Sequence, residues 1–275
     1  TLDRPDNRNS MTPELLDAFA AASARARADG SARCVVITGT GSCFSAGADL
    51  ASNLQRGEGA PGAPVRAPHE QSYAMYQPFL SVLDLEVPVI AACNGHTVGG
   101  GFGLALVCDL RVGARAARYC ANFTRLGLHP GMAISYLLPR LVGVARAAEL
   151  LFTGRLCDGD EAARIGLLLE AHDADDVLPR AMALAQTIAD NAPLAVRMTK
   201  RTLRASHGGA RSGAGVDYAV HLLAAWRAGE SESVLDAARN AASRAGPSIW
   251  TNALMVAAGF FVLTLGDARP LRNGG

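Results

Sequence analysis

Lysine is almost missing from this chain: Lys200 is the only one, and the other basic residues are arginines. We read that as codon bias before function. Basic and acidic residues number 26 and 25, a formal net charge of +1. No basic surplus marks a nucleic-acid-binding surface. The six cysteines, Cys34, Cys43, Cys93, Cys108, Cys120 and Cys157, form no C-x-x-C pair, and no His cluster completes a zinc pattern. No metal is therefore expected. Most of these cysteines lie in apolar runs, as in Cys34-Val-Val-Ile, and read as buried, inert thiols in a reducing cytoplasm. A G-x-G-x-x-G phosphate loop is lacking too, which argues against a dinucleotide-binding fold. The first residues, Thr1-Leu2-Asp3-Arg4-Pro5, hold neither a Met nor an apolar h-region, so they read as a chain starting mid-structure rather than a signal peptide.

What is present suits a packed globular protein. Over 275 residues, 49% are hydrophobic and 19% charged. Thr12-Pro13-Glu14 is a helix start: a cap, a proline at the first helical position, and an acid at the positive end of the dipole. Leu15, Leu16, Phe19 and Ala22 continue it as an apolar stripe, and Asp29-Gly30 ends it. Buried strands are expected over Arg33–Thr38, Val87–Cys93 and Asp109–Ala114. Between them lie a Gly/Pro/Ala-rich loop from Gly57 to Pro68 and a helix from about His69 to Leu85. After Ala114 the chain reads as mostly helical. Asp158-Gly-Asp-Glu161 has the capping-box spacing for a helix through Ile165. Further helices are expected over Val177–Asn191 and Pro193–Ala205.

Two glycine-rich corners follow strands. One is Phe44-Ser-Ala-Gly47-Ala48-Asp49-Leu50; the other is Asn94-Gly95-His-Thr-Val-Gly99-Gly100-Gly101. Alone, each reads more readily as a tight turn than as a site. Together they resemble the crotonase superfamily, also called the enoyl-CoA hydratase/isomerase family. The resemblance runs from Leu2 to about Ala245. It also takes in Cys108-Asp109, Leu126-Gly-Leu-His-Pro-Gly131, Leu138-Pro-Arg-Leu-Val-Gly143 and Glu149-Leu-Leu-Phe-Thr-Gly154.

The resemblance implies an α/β fold: a crotonase-type spiral of ββα units in two roughly perpendicular sheets, with a C-terminal helical region. Residues 1–190 would form the spiral core and 191–246 the helical region. The family usually assembles as trimers or pairs of trimers, so a homotrimer or hexamer is implied. The substrate would be an acyl-CoA thioester; coenzyme A belongs to the substrate, so no separate cofactor is implied. By resemblance, the backbone N–H groups of Ala48 and Gly100 form an oxyanion hole, Ala46 holds the adenine, Asp49 and Leu50 guide the pantetheine, and Gly99 lets the backbone approach the thioester. Ala51 replaces a lysine that often helps the CoA phosphates, leaving Arg56 or Arg66 as substitutes.

The departures concern proton transfer. Hydratases of this family carry one glutamate two residues after the third glycine and another in a Pro-Glu pair; here those places are Gly103 and the pair Asn122-Phe123. Water addition needs an acid and a base, so weak hydration is expected, and restoring Glu at both places is expected to raise it. His129 is the first candidate replacement, followed by His96, Tyr73 and Tyr76; Asp109 is expected to be structural. Phe102, Gly103, Phe123 and Leu126 are expected to floor an apolar pocket. Decarboxylation, thioester hydrolysis and a non-catalytic acyl-CoA-binding subunit stay open beside hydration and isomerisation.

The last stretch, 247–275, departs from this pattern. Residues 249–265 are uncharged and apolar all round, just short of a membrane span. An extra packed helix, a gene-joining or frameshift artefact, and a membrane anchor all remain open; only the last would bring the membrane into contact.

Overall fold

The computed structural model describes residues 1–48 and 75–206. The loop from Gly57 to Pro68, Tyr73, Asp49, Leu50, Ala51, Arg56, Arg66 and the 247–275 tail lie outside them.

Helix α1 (Pro13–Ala28) begins as its sequence requires: the Thr12 side chain accepts from the Leu15 N–H at 3.4 Å, and Leu15 and Leu16 turn into the core. Strand β1 (Val35–Thr38) then enters one sheet, and β2 (Cys43–Ser45) enters another. The chain repeats this alternation. Strand β3 (Val89–Cys93) returns to the first sheet and β4 (His96–Val98) to the second, before helix α2 (Gly100–Val107). Next come β5 (Leu110–Ala114) in the first sheet and β6 (Arg118–Cys120) in the second. Helices α3 (Ile134–Val142) and α4 (Val144–Thr153) lead to β7 (Cys157–Asp158), α5 (Gly159–Arg164), β8 (Glu170–His172), α6 (Ala174–Ala189) and α7 (Pro193–Ser206).

Among the described residues the sheet orders are therefore β1-β3-β5-β8 and β2-β4-β6-β7. The first sheet is parallel throughout, with Val35 opposite Val89 and Ile90 opposite Leu110. In the second sheet, only the β6–β7 pair is antiparallel. All five residues of β3 are buried, as expected for a central parallel strand covered on both faces. Helix α2 is buried all round, and α6 packs across the first sheet.

The structure corrects the expectation of a mostly helical second half. Strand β8 completes the first sheet, and β6 and β7 complete the second. These strands are two or three residues long, too short to show a period of two. Among the described residues no helix is long and apolar enough to cross a membrane. All six cysteines are free, and five are buried. Burial pushes the Cys93 thiol up to about 12 and Cys34 up to about 11, so neither is a ready nucleophile at neutral pH.

Helix α7, the last among the described residues, is anchored by charge. Lys200, 7% exposed, sets its Nζ 2.7 Å from Asp109 and donates to the Val87 carbonyl at 2.6 Å. Arg204 donates to the other Asp109 oxygen at 3.1 Å and to the Leu83 carbonyl at 2.6 Å. Asp109 also accepts from the Val89 N–H at 2.8 Å. Its carboxylate holds α7 against the starts of β3 and β5, the structural role expected of it.

Candidate active site

The two glycine corners, about fifty residues apart in sequence, meet. Gly47 has φ +81°, and a Cβ there would lie 2.7 Å from both the Gly100 N and the Val98 O. Only glycine permits that approach. Gly99, at φ +55° and ψ −120°, turns β4 into α2, and its N–H donates to the Cys120 carbonyl at 2.9 Å.

Residues 4–11 brace the first corner. Asn9, fully buried with φ +52°, accepts from the Arg4 N–H at 2.8 Å. Its amide donates to the carbonyls of Thr40 at 3.0 Å and Cys43 at 2.8 Å. The Ser45 hydroxyl donates to the Asn9 carbonyl at 2.8 Å, the Ala46 N–H to Arg8 O at 3.0 Å, and the Met11 N–H to Gly47 O at 2.8 Å. These bonds fix the strand end that carries Ala48. Neither the Ala48 N–H nor the Gly100 N–H donates a hydrogen bond among the described residues. Gly100 opens an eight-residue helix, so its N–H has no intrahelical acceptor and sits at the positive end of the dipole.

Of the candidates singled out from sequence, Tyr76 is one of the side chains nearest this corner. A Cβ on Gly100 would fall on Met11 Sδ and lie 3.4 Å from Tyr76 Cε1. A Cβ on Gly131 would meet the Tyr76 ring at 2.6 Å, so the phenol ring lies between α2 and the 129–133 loop. Asn122 brings its Oδ1 within 3.3 Å of a Cβ on Gly99, and its amide makes no hydrogen bond among the described residues. A Cβ on Gly103 would overlap Met132 Cβ and lie 2.8 Å from its Cγ. In sequence Asn122 stands only at the place of a missing Pro-Glu pair; that it, Met11 and Met132 come close to the glycines is purely tertiary.

Other expected residues fall elsewhere. His129 is half-buried in the loop before α3. His96 is exposed on the edge of the second sheet, where its Nδ1 accepts from the Arg118 N–H at 3.0 Å, a structural bond. Phe123 and Phe102 are buried beside the same core, and Leu126 is 46% exposed. Ala46 belongs to the corner through its backbone. A cleft of about 500 Å³ between α1 and β1, lined by Leu15, Phe19, Val35 and Ile37, includes none of the corner residues.

The family model for enoyl-CoA hydratase/isomerase matches residues 1–231. The chain belongs to the enoyl-CoA hydratase/isomerase family. It is 42% identical over 208 residues to a Mycobacterium tuberculosis protein named probable enoyl-CoA hydratase, covering 75% of this chain and 77% of that one. Among solved structures it is similar to an enoyl-CoA hydratase from Bacillus anthracis, at 34% identity and TM-score 0.65 over 73% of this chain and 75% of that one. It is also similar to a monofunctional enoyl-CoA isomerase from Mycobacterium smegmatis, at 33% identity and TM-score 0.59 over 74% and 85%. The alternation of consecutive strands between two sheets is thus the crotonase fold expected from the sequence.

Proposed function

We propose that this family member binds an acyl-CoA thioester and stabilises its enolate between the N–H groups of Ala48 and Gly100. What supports this reading is the contact of Gly47 with Gly100, which joins the two corners that carry these N–H groups, neither of which has an acceptor among the described residues. A thioester enolate places its negative charge on the former carbonyl oxygen. Two donors fixed in advance lower the barrier to that charge, each by roughly 3 kcal/mol where such donors have been removed. The α2 dipole adds to them with the same sign. A homotrimer or hexamer remains part of this reading by family resemblance.

Hydration is not the favoured reaction. Gly103 carries no side chain, and Phe123, 6% exposed, carries no acid. The site suits reactions in which the enolate forms with little help from side-chain bases. Decarboxylation is one: the C–C bond to a carboxylate breaks, CO₂ leaves, and the electron pair passes to the thioester oxygen before a proton from water restores the thioester. A panel of crotonyl-, malonyl-type and aromatic acyl-CoAs, read by mass spectrometry, tests the proposal. Turnover of one class, with crotonyl-CoA hydrated slowly, is expected. Absence of both binding and turnover across the panel would overturn it, and binding without turnover would point to a non-catalytic subunit.

A further inference from the structure

The 129–133 loop carries an unusual pair of residues. Met132 (φ +58°) and Ala133 (φ +56°) are consecutive non-glycine residues in the left-handed region, 2% and 0% exposed. Such a conformation costs on the order of 1–2 kcal/mol per residue and persists where packing imposes it. Here it drives Met132 against α2 at Gly103, one turn after the corner; the Gly103 N–H donates to the Gly99 carbonyl at 3.0 Å. In an α-helix each Cα–Cβ bond tilts toward the N-terminus. A side chain at position 103 would therefore point back over Gly99 and Gly100, where the thioester would sit. Met132 fills the first part of that path.

We propose that Met132 is the residue that sets the reaction specificity of this site: its side chain occupies the route by which an acid or base on α2 would reach the acyl group. The inference rests on the reading of the corner as an acyl-thioester site. Gly103 is then not a passive loss. The glycine and the methionine are a fitted pair, and the acyl group meets a thioether on its α2 side instead of a carboxylate. Restoring glutamate at both places would still drive the one at 103 into Met132, so the expected rise in hydration needs a third change, at Met132.

The geometry supplies a test through signs. Gly103→Ala in a helix interior ordinarily stabilises by about 0.5–1 kcal/mol. Here it places a Cβ onto Met132. Once Met132 is replaced by glycine, which tolerates the left-handed φ, the nearest remaining atom is Ile134 Cδ1 at 3.5 Å, an ordinary contact. Gly103→Ala is therefore expected to lower the melting temperature by a few degrees in the native chain and to raise it in the Met132→Gly background. With Phe123→Glu present throughout to supply the second group, Gly103→Glu with Met132→Gly is expected to hydrate crotonyl-CoA at least about tenfold faster than either change without the other, one such factor being 1.4 kcal/mol. The same sign for Gly103→Ala in both backgrounds would overturn the proposal. So would a protein with all three changes that binds acyl-CoA, by calorimetry, yet gains no hydration over the one that keeps Met132. A native chain that binds no acyl-CoA in the same calorimeter would instead bring down the acyl-thioester reading, and this inference with it.

Discussion

The glycine corner and the Asp109 cluster are built on opposite rules. At Asp109 every charge has partners: the carboxylate accepts from Val89, Lys200 and Arg204, and both cations reach further carbonyls. At the corner, glycines replace side chains, and two N–H groups have no acceptor among the described residues. The cluster looks like chemistry in the sequence and proves to be architecture. The corner looks like a pair of turns and, on the proposed reading, is the chemistry. Donors already satisfied by the protein have little left for a substrate, whereas fixed unsatisfied donors do.

The comparison can be pushed until one side gives. The largest effect should come from Gly47→Ala, which places a Cβ in the left-handed region and 2.7 Å from two backbone atoms that cannot move aside cheaply. A loss of about 3 kcal/mol or more in urea unfolding is expected, together with loss of acyl-CoA binding. Retention of both would mean that the corners need not touch. Next, Lys200→Ala leaves the Asp109 carboxylate without its most buried partner, and should cost ~3 kcal/mol. Acyl-CoA affinity per folded molecule should stay within a factor of two, on the order of 0.4 kcal/mol. A large loss of affinity would erase the division between the two regions.

A smaller effect lies at the Arg155 network, away from both. Arg155 donates to Glu161 at 2.6 and 2.9 Å, and these hydrogen bonds hold the Glu161 carboxyl down at about 2. A lowered carboxyl pKa stabilises the fold above the unfolded value, near 4.5, and the gain disappears as pH falls toward 2. The pair is partly exposed, so Glu161→Gln should cost only about 0.5–1 kcal/mol at pH 7. The gap in melting temperature between native and variant should close between about pH 4.5 and 2. A gap that widens on acidification would give the coupling the wrong sign.

How far the sequence could be read follows the same division. Helix α1 was legible from Thr12-Pro13-Glu14, β3 from its apolar run, and α5 from Asp158, whose carboxylate accepts from the Glu161 N–H at 2.9 Å. Glu161 itself binds Arg155 instead of closing a capping box. The short strands β2, β4, β6, β7 and β8 were not legible, because they exist through their ladder partners and not through any local pattern. At the site, Gly47 and Gly99–Gly101 were visible as glycine corners. Their contact, and the approach of Met11, Asn122 and Met132, depend on chain crossings that no local signal records. The chemistry of Leu126-Gly-Leu-His-Pro-Gly131 draws the eye to His129, whereas the contact of Met132, three residues later, with α2 has no chemical signal to announce it.

The central claim is that the Gly100 N–H holds the oxyanion, and one comparison tests it most directly. Gly100 opens α2, where proline is tolerated, but a ring there would strike Met11. The change is therefore made in a Met11→Ala background, which clears the space, and turnover of the best acyl-CoA from the panel is measured with and without Gly100→Pro. With the two proteins melting within a few degrees of each other, the account predicts that turnover falls about a hundredfold or more on loss of that single donor. Equal turnover by the two folded proteins would contradict it.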